Sequence, residues 1–104
     1  MRQVLVRYTT RADQAEENAR LIREVFESLR ETTPTGITYA AYRLDDGVSF
    51  VHIASIDDPA NNPLQHLVAF KAFTAGVKDR CDVAPVTSVL HEVGSYAGAA
   101  ISAP

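Results

Sequence analysis

The chain of 104 residues has little cysteine, no tryptophan and no long apolar run. Cys81 is its only cysteine, which excludes an intramolecular disulfide and a metal site made of cysteines alone, and favours a reducing compartment. No apolar stretch approaches the roughly 20 residues that cross a bilayer. An alternating pattern begins within a few residues of Met1, where a signal peptide would place its apolar segment. We therefore expect a cytoplasmic protein without a membrane span.

An excess of positive charge is also missing. Ten Lys and Arg residues stand against thirteen Asp and Glu, which gives a net charge of -3 at pH 7. Because no basic surface is available to neutralise phosphates, nucleic acid is not an expected partner. The 46% hydrophobic and 22% charged residues are ordinary for a folded protein, and the length predicts one domain over residues 1–104.

The first part of the chain predicts a strand followed by a helix. Residues 4–10 alternate with a period of two, which is typical of a strand. Thr10 with Asp13 three residues later resembles a capping box, so a helix should begin there. Residues 32–36 should end it, because they contain a proline and a glycine. Between these points an apolar stripe recurs at helical spacing: Ala15, Ala19, Ile22, Phe26 and Leu29.

The middle of the chain predicts a β-hairpin. Residues 37–44 and 48–56 are β-rich, and the segment between them reads Asp45, Asp46, Gly47. An Asp-Gly pair supplies the positive φ angles that a tight hairpin turn needs. Two further strands of one sheet are therefore expected here.

The last part predicts a second helix and a fourth strand. Asn62 and Pro63 form an N-cap followed by a proline at the first helical position, and the helix should end near Arg80. Residues 86–93 alternate again, and residues 94–104 form a tail of small residues.

This element order predicts an α+β fold of the ferredoxin-like βαββαβ type, with a four-stranded antiparallel sheet and helices on one face. The other face should be polar if it met water, yet residues 39–44 and 50–56 carry apolar side chains on both alternations. A second copy packed sheet against sheet is the most economical cover, since two-fold dimers are the commonest assemblies. We expect a homodimer through the sheet face, that is, a dimeric α+β barrel.

The C-terminal part of the sequence resembles a known family. Residues 62–73 read NPLQHLVAFKAF, Pro85 follows, and residues 89–96 read VLHEVGSY. These stretches are similar to the antibiotic-biosynthesis monooxygenase-like group of dimeric α+β barrels, in which the second helix often carries His and then Phe. The resemblance implies a homodimer with a pocket between the sheet and the helices. Some members use it for cofactor-free oxidation of aromatic polyketides, others for haem breakdown, and others for no known reaction.

The haem-degrading branch fits poorly. Its haem-binding His lies late in the second helix, where this chain has Gly76, Val77 and Lys78, and its strand-one Asn has no counterpart in residues 7–9. No phosphate loop or nucleotide fingerprint is present either. We expect no cofactor.

Two histidines are the candidate catalytic bases. His66 lies on the predicted second helix beside a Phe-rich stripe, and His52 lies within a predicted strand. An imidazole that titrates near neutral pH can take a proton from a phenol. A surface position for His66 and a hydrogen-bonded core position for His52 or His91 are the more frequent explanations of such residues. No two histidines have the helical spacing of metal ligands, so we expect no metal.

The candidate substrate-binding residues surround an aromatic ligand in this interpretation. Tyr39, Tyr42 and Arg43 on the second strand offer hydroxyls and a cation to an anionic ligand, and packing alone also explains the aromatic residues. The remaining members of the predicted set are Phe70, Phe73 and His91.

Three functions remain open at this point. The first is a cofactor-independent monooxygenase, or a related small-molecule enzyme, that acts on an aromatic or polyketide-like compound. The second is a non-catalytic dimeric protein of the same fold that binds a small hydrophobic ligand, or a stress-type protein. The third is a pure assembly domain.

Overall fold

The computed structural model describes residues 1–98, which contain one four-stranded antiparallel sheet and two α-helices. In chain order the elements are β1 (Arg2–Thr10), α1 (Ala15–Thr32), β2 (Ile37–Arg43), β3 (Ser49–Ile56), α2 (Val68–Gly76) and β4 (Cys81–Leu90). The strand order in the sheet is β2-β3-β1-β4, with every neighbouring pair antiparallel. The predicted ferredoxin-like α+β fold is therefore confirmed. Within residues 1–98 neither helix is long and apolar enough to pass through a membrane.

The start of α1 differs from the prediction. Thr10 is the last residue of β1, and its hydroxyl donates to the carbonyl oxygen of Val48 at 3.2 Å. A short 3-10 turn over Ala12–Gln14 leads into α1, whose first turn has no side-chain cap. The predicted capping box is wrong because the buried Thr10 hydroxyl donates to the residue that precedes β3 instead of accepting from the first turn of the helix.

The apolar stripe of α1 packs on the sheet as predicted. Three of its five residues are buried, and the other two are half-buried against the same core. Val25 and Asn18 are also buried on this face, with 1% and 0% of their surface exposed. The helix ends where it was predicted to end, with Thr33 in a left-handed conformation and its N–H donating to the carbonyl oxygen of Leu29.

The predicted hairpin joins β2 to β3. Gly47 has a φ of +79°, as an Asp-Gly turn requires, whereas Asp46 does not take a positive φ. The carboxylate of Asp46 instead accepts hydrogen bonds from the N–H groups of Val48 and Ser49 and from the Ser49 hydroxyl. The prediction of paired positive φ angles is thus wrong for Asp46, which closes the turn through its side chain.

The second helix begins later than predicted. Asn62 does cap the chain, because its Oδ1 accepts from the N–H of Leu64, but the turn that follows is a 3-10 turn over Pro63–His66. Leu67 then has an extended backbone, and α2 begins at Val68. His66 therefore precedes α2, and its predicted position on the helix is wrong.

The fourth strand begins earlier than predicted and also ends earlier. It runs over Cys81–Leu90 and pairs with nearly the whole of β1, with register shifts near one end. Pro85 is tolerated because β4 is an edge strand with one unpaired side. His91 lies beyond the strand and is exposed, so its predicted position within a strand is wrong. Residues 91–98 have no regular structure, and residues 99–104 of the predicted tail lie outside the described residues.

The sheet face opposite the helices, here called the outer face, carries apolar side chains. Residues that face the same side in adjacent strands form cross-strand rows, and in residues 1–98 neither α1 nor α2 covers them. Tyr42 and Val86 at the two ends of one row are 56% and 62% exposed. The apolar members of these rows are Leu5, Ala40, Tyr42, Val51, Ile53, Val83, Val86 and Leu90, and Arg7 lies between Val51 and Val86.

Candidate functional site

A cavity of about 270 Å³ lies between the helix-facing side of the sheet and the segment that contains α2. This volume is just below the range of about 300–1,000 Å³ that is usual for drug-sized ligands, so the cavity suits a small one. Most of the wall is apolar: Val4, Val6, Ala54, Ile56, Leu64, Phe70, Phe73, Val77 and Pro85. The polar side chains in the wall are Tyr8, Tyr39, His52, Asn62, Thr74 and Thr87.

His52 is placed in the cavity wall by the alternation of β3. Every second side chain of this strand, beginning with Phe50, points to the helices and is buried, and His52 is 5% exposed. Its Nε2 lies 2.7 Å from the hydroxyl of Tyr8 on β1, and its Nδ1 lies 2.6 Å from the hydroxyl of Tyr39 on β2. Both ring nitrogens are therefore engaged by phenol hydroxyls from the two flanking strands.

All three groups are neutral at pH 7, and burial moves the pKa of each one further from 7. It lowers the pKa of His52 to about 4, because the protonated ring would lose its hydration. It raises the pKa of Tyr8 to about 12, although the hydrogen bond from Asn18 acts in the opposite direction. Burial, with a smaller contribution from Tyr8, also raises the pKa of Tyr39. The site is a neutral imidazole between two neutral phenols.

A buried cation, Arg80, is linked to Tyr8 through Asn18. Nδ2 of Asn18 donates to the Tyr8 hydroxyl at 2.8 Å, and Nε of Arg80 donates to Oδ1 of Asn18 at 3.0 Å. Arg80 is 8% exposed, its Nη2 donates to the carbonyl oxygen of Phe73, and its guanidinium lies 5.3 Å from the centre of that ring. Within residues 1–98 no carboxylate forms an ion pair with Arg80. Amide, carbonyl and aromatic partners compensate its burial instead.

Aromatic packing fixes the orientation of the two tyrosines. Tyr8 stacks on Phe50 with ring centres 5.6 Å apart, and Tyr39 stacks on Phe26 at 5.1 Å. Phe73 lies against the His52 ring at 5.3 Å. Such ring pairs favour one orientation of each ring, and in this orientation both hydroxyls meet His52.

The structure brings some of the predicted site residues together. Tyr39, His52, Phe70 and Phe73 all line the cavity. These are the residues whose strand or helix periodicity points them towards the core. The predicted apolar walls and one of the two predicted bases therefore share one site.

The other predicted residues lie elsewhere. Tyr42 faces the outer side of the sheet, because it lies three positions after Tyr39 and side chains alternate along a strand. The Arg43 side chain donates to the Gly47 carbonyl oxygen and forms an ion pair with Glu16. His66 is exposed in its 3-10 turn. Neither His66 nor the exposed His91 lines the cavity.

Sequence reasoning missed Tyr8, Asn18 and Arg80 as members of the site. The sequence holds one signal for them, since Asn18 lies between Ala15 and Ile22 on the apolar stripe of α1. A polar side chain on a core face needs buried partners. Within residues 1–98 no three His, Cys, Asp or Glu side chains come together as a metal site would require.

Comparison with known proteins supports the fold. No protein-family model matches the sequence, and no curated protein matches it significantly. Among solved structures, one described as an antibiotic biosynthesis monooxygenase superposes with a TM-score of 0.74 at 17% identity, over 90% of this chain and 100% of that one. Rv0793 from Mycobacterium tuberculosis superposes with a TM-score of 0.74 at 17% identity, over 92% of this chain and 98% of that one. PA3566 from Pseudomonas aeruginosa superposes with a TM-score of 0.71 at 18% identity, over 89% of this chain and 94% of that one. The chain thus has the fold of an antibiotic biosynthesis monooxygenase, and the resemblance inferred from its C-terminal part is confirmed at the level of the fold.

Proposed function

We propose that the cavity binds a small aromatic compound that carries oxygen, and that the protein oxidises this compound with molecular oxygen without a cofactor. The observation that carries the proposal is the polar pair His52 and Tyr39 in the wall of an otherwise apolar cavity. Apolar walls with a few fixed polar groups are typical of small-molecule sites. The fold shared with a structure described as an antibiotic biosynthesis monooxygenase supports the same function.

The chemistry depends on an anion of the ligand. A phenolate or enolate gives an electron to oxygen more readily than the neutral compound does, so a site that stabilises the anion promotes oxidation. A hydrogen bond from the Tyr39 hydroxyl to the anionic oxygen supplies that stabilisation inside an apolar cavity. Because both nitrogens of His52 are engaged and burial lowers its pKa to about 4, we assign His52 the support of Tyr39 rather than direct proton abstraction. The ligand therefore gives its proton to water and enters the cavity as the anion.

The test uses 1,4-dihydroxynaphthalene and oxygen. Monooxygenation converts one molecule of each into 2-hydroxy-1,4-naphthoquinone and water, whereas spontaneous oxidation gives 1,4-naphthoquinone and hydrogen peroxide. The protein is expected to form the hydroxylated product with one labelled atom from ¹⁸O₂, measured by mass spectrometry. The same products with and without protein would overturn the enzymatic proposal.

Tyr39→Phe is expected to lower the rate of this reaction by about tenfold or more, because a hydrogen bond to a charged group contributes about 1.5–3 kcal/mol. The matched control is Tyr42→Phe, which removes a hydroxyl from the same strand on the outer face and should change the rate less than about twofold. Equal rates for Tyr39→Phe and the unaltered protein would remove Tyr39 from the mechanism.

A non-catalytic binding protein is the second candidate. The observation in its favour is that no free base among residues 1–98 lines the cavity, since His52 is engaged on both sides by tyrosines. This function predicts that 1-naphthol binds, as seen by its fluorescence, while 1,4-dihydroxynaphthalene gives no hydroxylated product. Turnover of the second compound would exclude it.

We also propose that two copies pair through the outer face of the sheet. The apolar rows on this face, with Ile53 near their centre, would otherwise meet water. Light scattering coupled to size exclusion at micromolar concentration should give twice the 11.3 kDa of one chain. Ile53→Lys should give a single-chain mass, because it buries a charge in the interface, whereas Val68→Lys on the exposed side of α2 should leave the dimer intact. A single-chain mass for the unaltered protein would contradict the proposal.

A further inference from the structure

We propose that a chain of hydrogen bonds runs in one direction through the core, with each group donating to the next. Here called the donor chain, it leads from Arg80 to Asn18, Tyr8, His52 and finally Tyr39. Its last free hydrogen, on the Tyr39 hydroxyl, points to the cavity. The site therefore selects ligands whose oxygen accepts a hydrogen bond there, such as a quinone, a ketone or a phenolate. The inference rests on the proposed ligand site and names its ligand class.

The direction of the donor chain is set at its buried end. A guanidinium has only donors, so the atom of Asn18 that faces Nε of Arg80 at 3.0 Å is the carbonyl Oδ1. This contact excludes the flipped amide, because flipping would place two donors against each other. The NH₂ group of Asn18 consequently faces Tyr8 and donates to its oxygen at 2.8 Å.

The Tyr8 hydroxyl donates the next hydrogen bond, to His52. The tyrosine is 1% exposed, and within residues 1–98 the only acceptor bonded to its hydroxyl is Nε2 of His52 at 2.7 Å. A buried hydroxyl without an acceptor costs about 1–3 kcal/mol, so Tyr8 donates to Nε2. Nε2 then carries no hydrogen, and a neutral imidazole must carry its hydrogen on Nδ1. The low pKa of His52 agrees with a neutral ring at pH 7.

Tyr39 receives the last internal hydrogen bond. Nδ1–H of His52 donates to its oxygen at 2.6 Å, and no group in residues 1–98 accepts the hydrogen of the Tyr39 hydroxyl. Tyr8 also lines the cavity but is 1% exposed, whereas Tyr39 is half-buried, so a ligand in the cavity reaches the Tyr39 hydroxyl and supplies the acceptor for its hydrogen. Each donor polarises the next, and the positive charge of Arg80 lies at the far end, which strengthens the terminal donor. Asn18 and Arg80 are thus positioning residues that act on the ligand through His52 and Tyr39.

The first experiment determines the tautomer of His52 in the unaltered protein. Nitrogen-15 NMR at pH 7 distinguishes a ring nitrogen that carries hydrogen from one that does not. We expect Nδ1 to carry the hydrogen and Nε2 to carry none. Hydrogen on Nε2, or on both nitrogens, would overturn the donor chain without the need for any variant.

The second experiment reverses the donor chain with Asn18→Asp. A carboxylate beside Arg80 stays ionised and only accepts, so Tyr8 should donate to it and take a hydrogen bond from Nε2–H of His52. Nδ1 then accepts from the Tyr39 hydroxyl, which leaves only an acceptor facing the cavity. A merely structural role of Asn18 predicts an unchanged tautomer in any variant that folds.

The ligand probes are 1,4-naphthoquinone, which only accepts, and 1-naphthol, which can donate. The ratio of their affinities should shift by about tenfold or more towards 1-naphthol in Asn18→Asp, since a site left with an unpaired acceptor rejects a ligand that cannot donate. An unchanged ratio with a reversed tautomer would overturn the assigned ligand class. If neither probe binds the unaltered protein, the ligand site itself is wrong, while the tautomer still decides the donor chain.

Discussion

Replacement of Phe73 by alanine is expected to lower the free energy of unfolding by about 3–5 kcal/mol, the usual cost of removing a buried ring. Phe73 is 5% exposed and lies against His52 and Tyr8. The guanidinium of Arg80 lies over the Phe73 ring. Its loss leaves a void beside the cavity and removes the aromatic partner of a buried cation. Urea unfolding at pH 7 and fixed protein concentration measures the change.

The matched control for this substitution is Val68→Ala, which shortens a side chain on the same helix. Val68 is 81% exposed, so the control should change the free energy of unfolding by less than about 0.5 kcal/mol. A Phe73→Ala protein as stable as the control would mean that α2 does not pack on the sheet as described.

Acidification from pH 6.5 to pH 4 is expected to remove about 3 kcal/mol of stability through His52 alone. The folded-state pKa of about 4 lies below the ordinary value of 6.5, so the unfolded chain takes up the proton first. The contribution of His52 to the free energy of unfolding is complete above pH 6.5 and is lost as the pH falls towards 4. The groups that face the ring are the hydroxyls of Tyr8 and Tyr39 and the ring of Phe73, with Arg80 as the nearest cation behind Asn18. None of them offers a negative charge to an imidazolium.

Comparison with His52→Gln isolates this effect, because the carboxylates titrate in both proteins. The free energy of unfolding of the unaltered protein should fall more steeply between pH 6.5 and pH 4 than that of the variant. Parallel curves would show that His52 is not held neutral in the core.

Much of the fold could be predicted because its signals are local. The helical stripe of α1 and the β2–β3 hairpin depend on neighbours in sequence, and both predictions are confirmed, although only Gly47 of the Asp-Gly pair has a positive φ. The start of α2 could not be predicted, since Asn62 and Pro63 cap a 3-10 turn as well as they cap a helix. The bounds of β4 depend on its pairing with β1, and Pro85 with the shifted register obscures its alternation.

The candidate site could be predicted only in part, because local patterns indicate which side chains face the core but not which of them contact each other. Periodicity turns His52, Tyr39 and the two phenylalanines towards the core, whatever the rest of the chain does. The hydrogen bonds that join Tyr8 to His52 and Asn18 to Arg80 span 44 and 62 residues of sequence. Such contacts follow from strand register and helix packing, which no local pattern specifies.

A crystal structure of the protein with 1,4-naphthoquinone tests the central claim most directly. We expect the ligand in the cavity, with one carbonyl oxygen within hydrogen-bond distance of the Tyr39 hydroxyl and its rings against Phe70 and Phe73. Binding of the quinone at the outer face or beside His66, with the cavity empty at saturating concentration, would contradict the account.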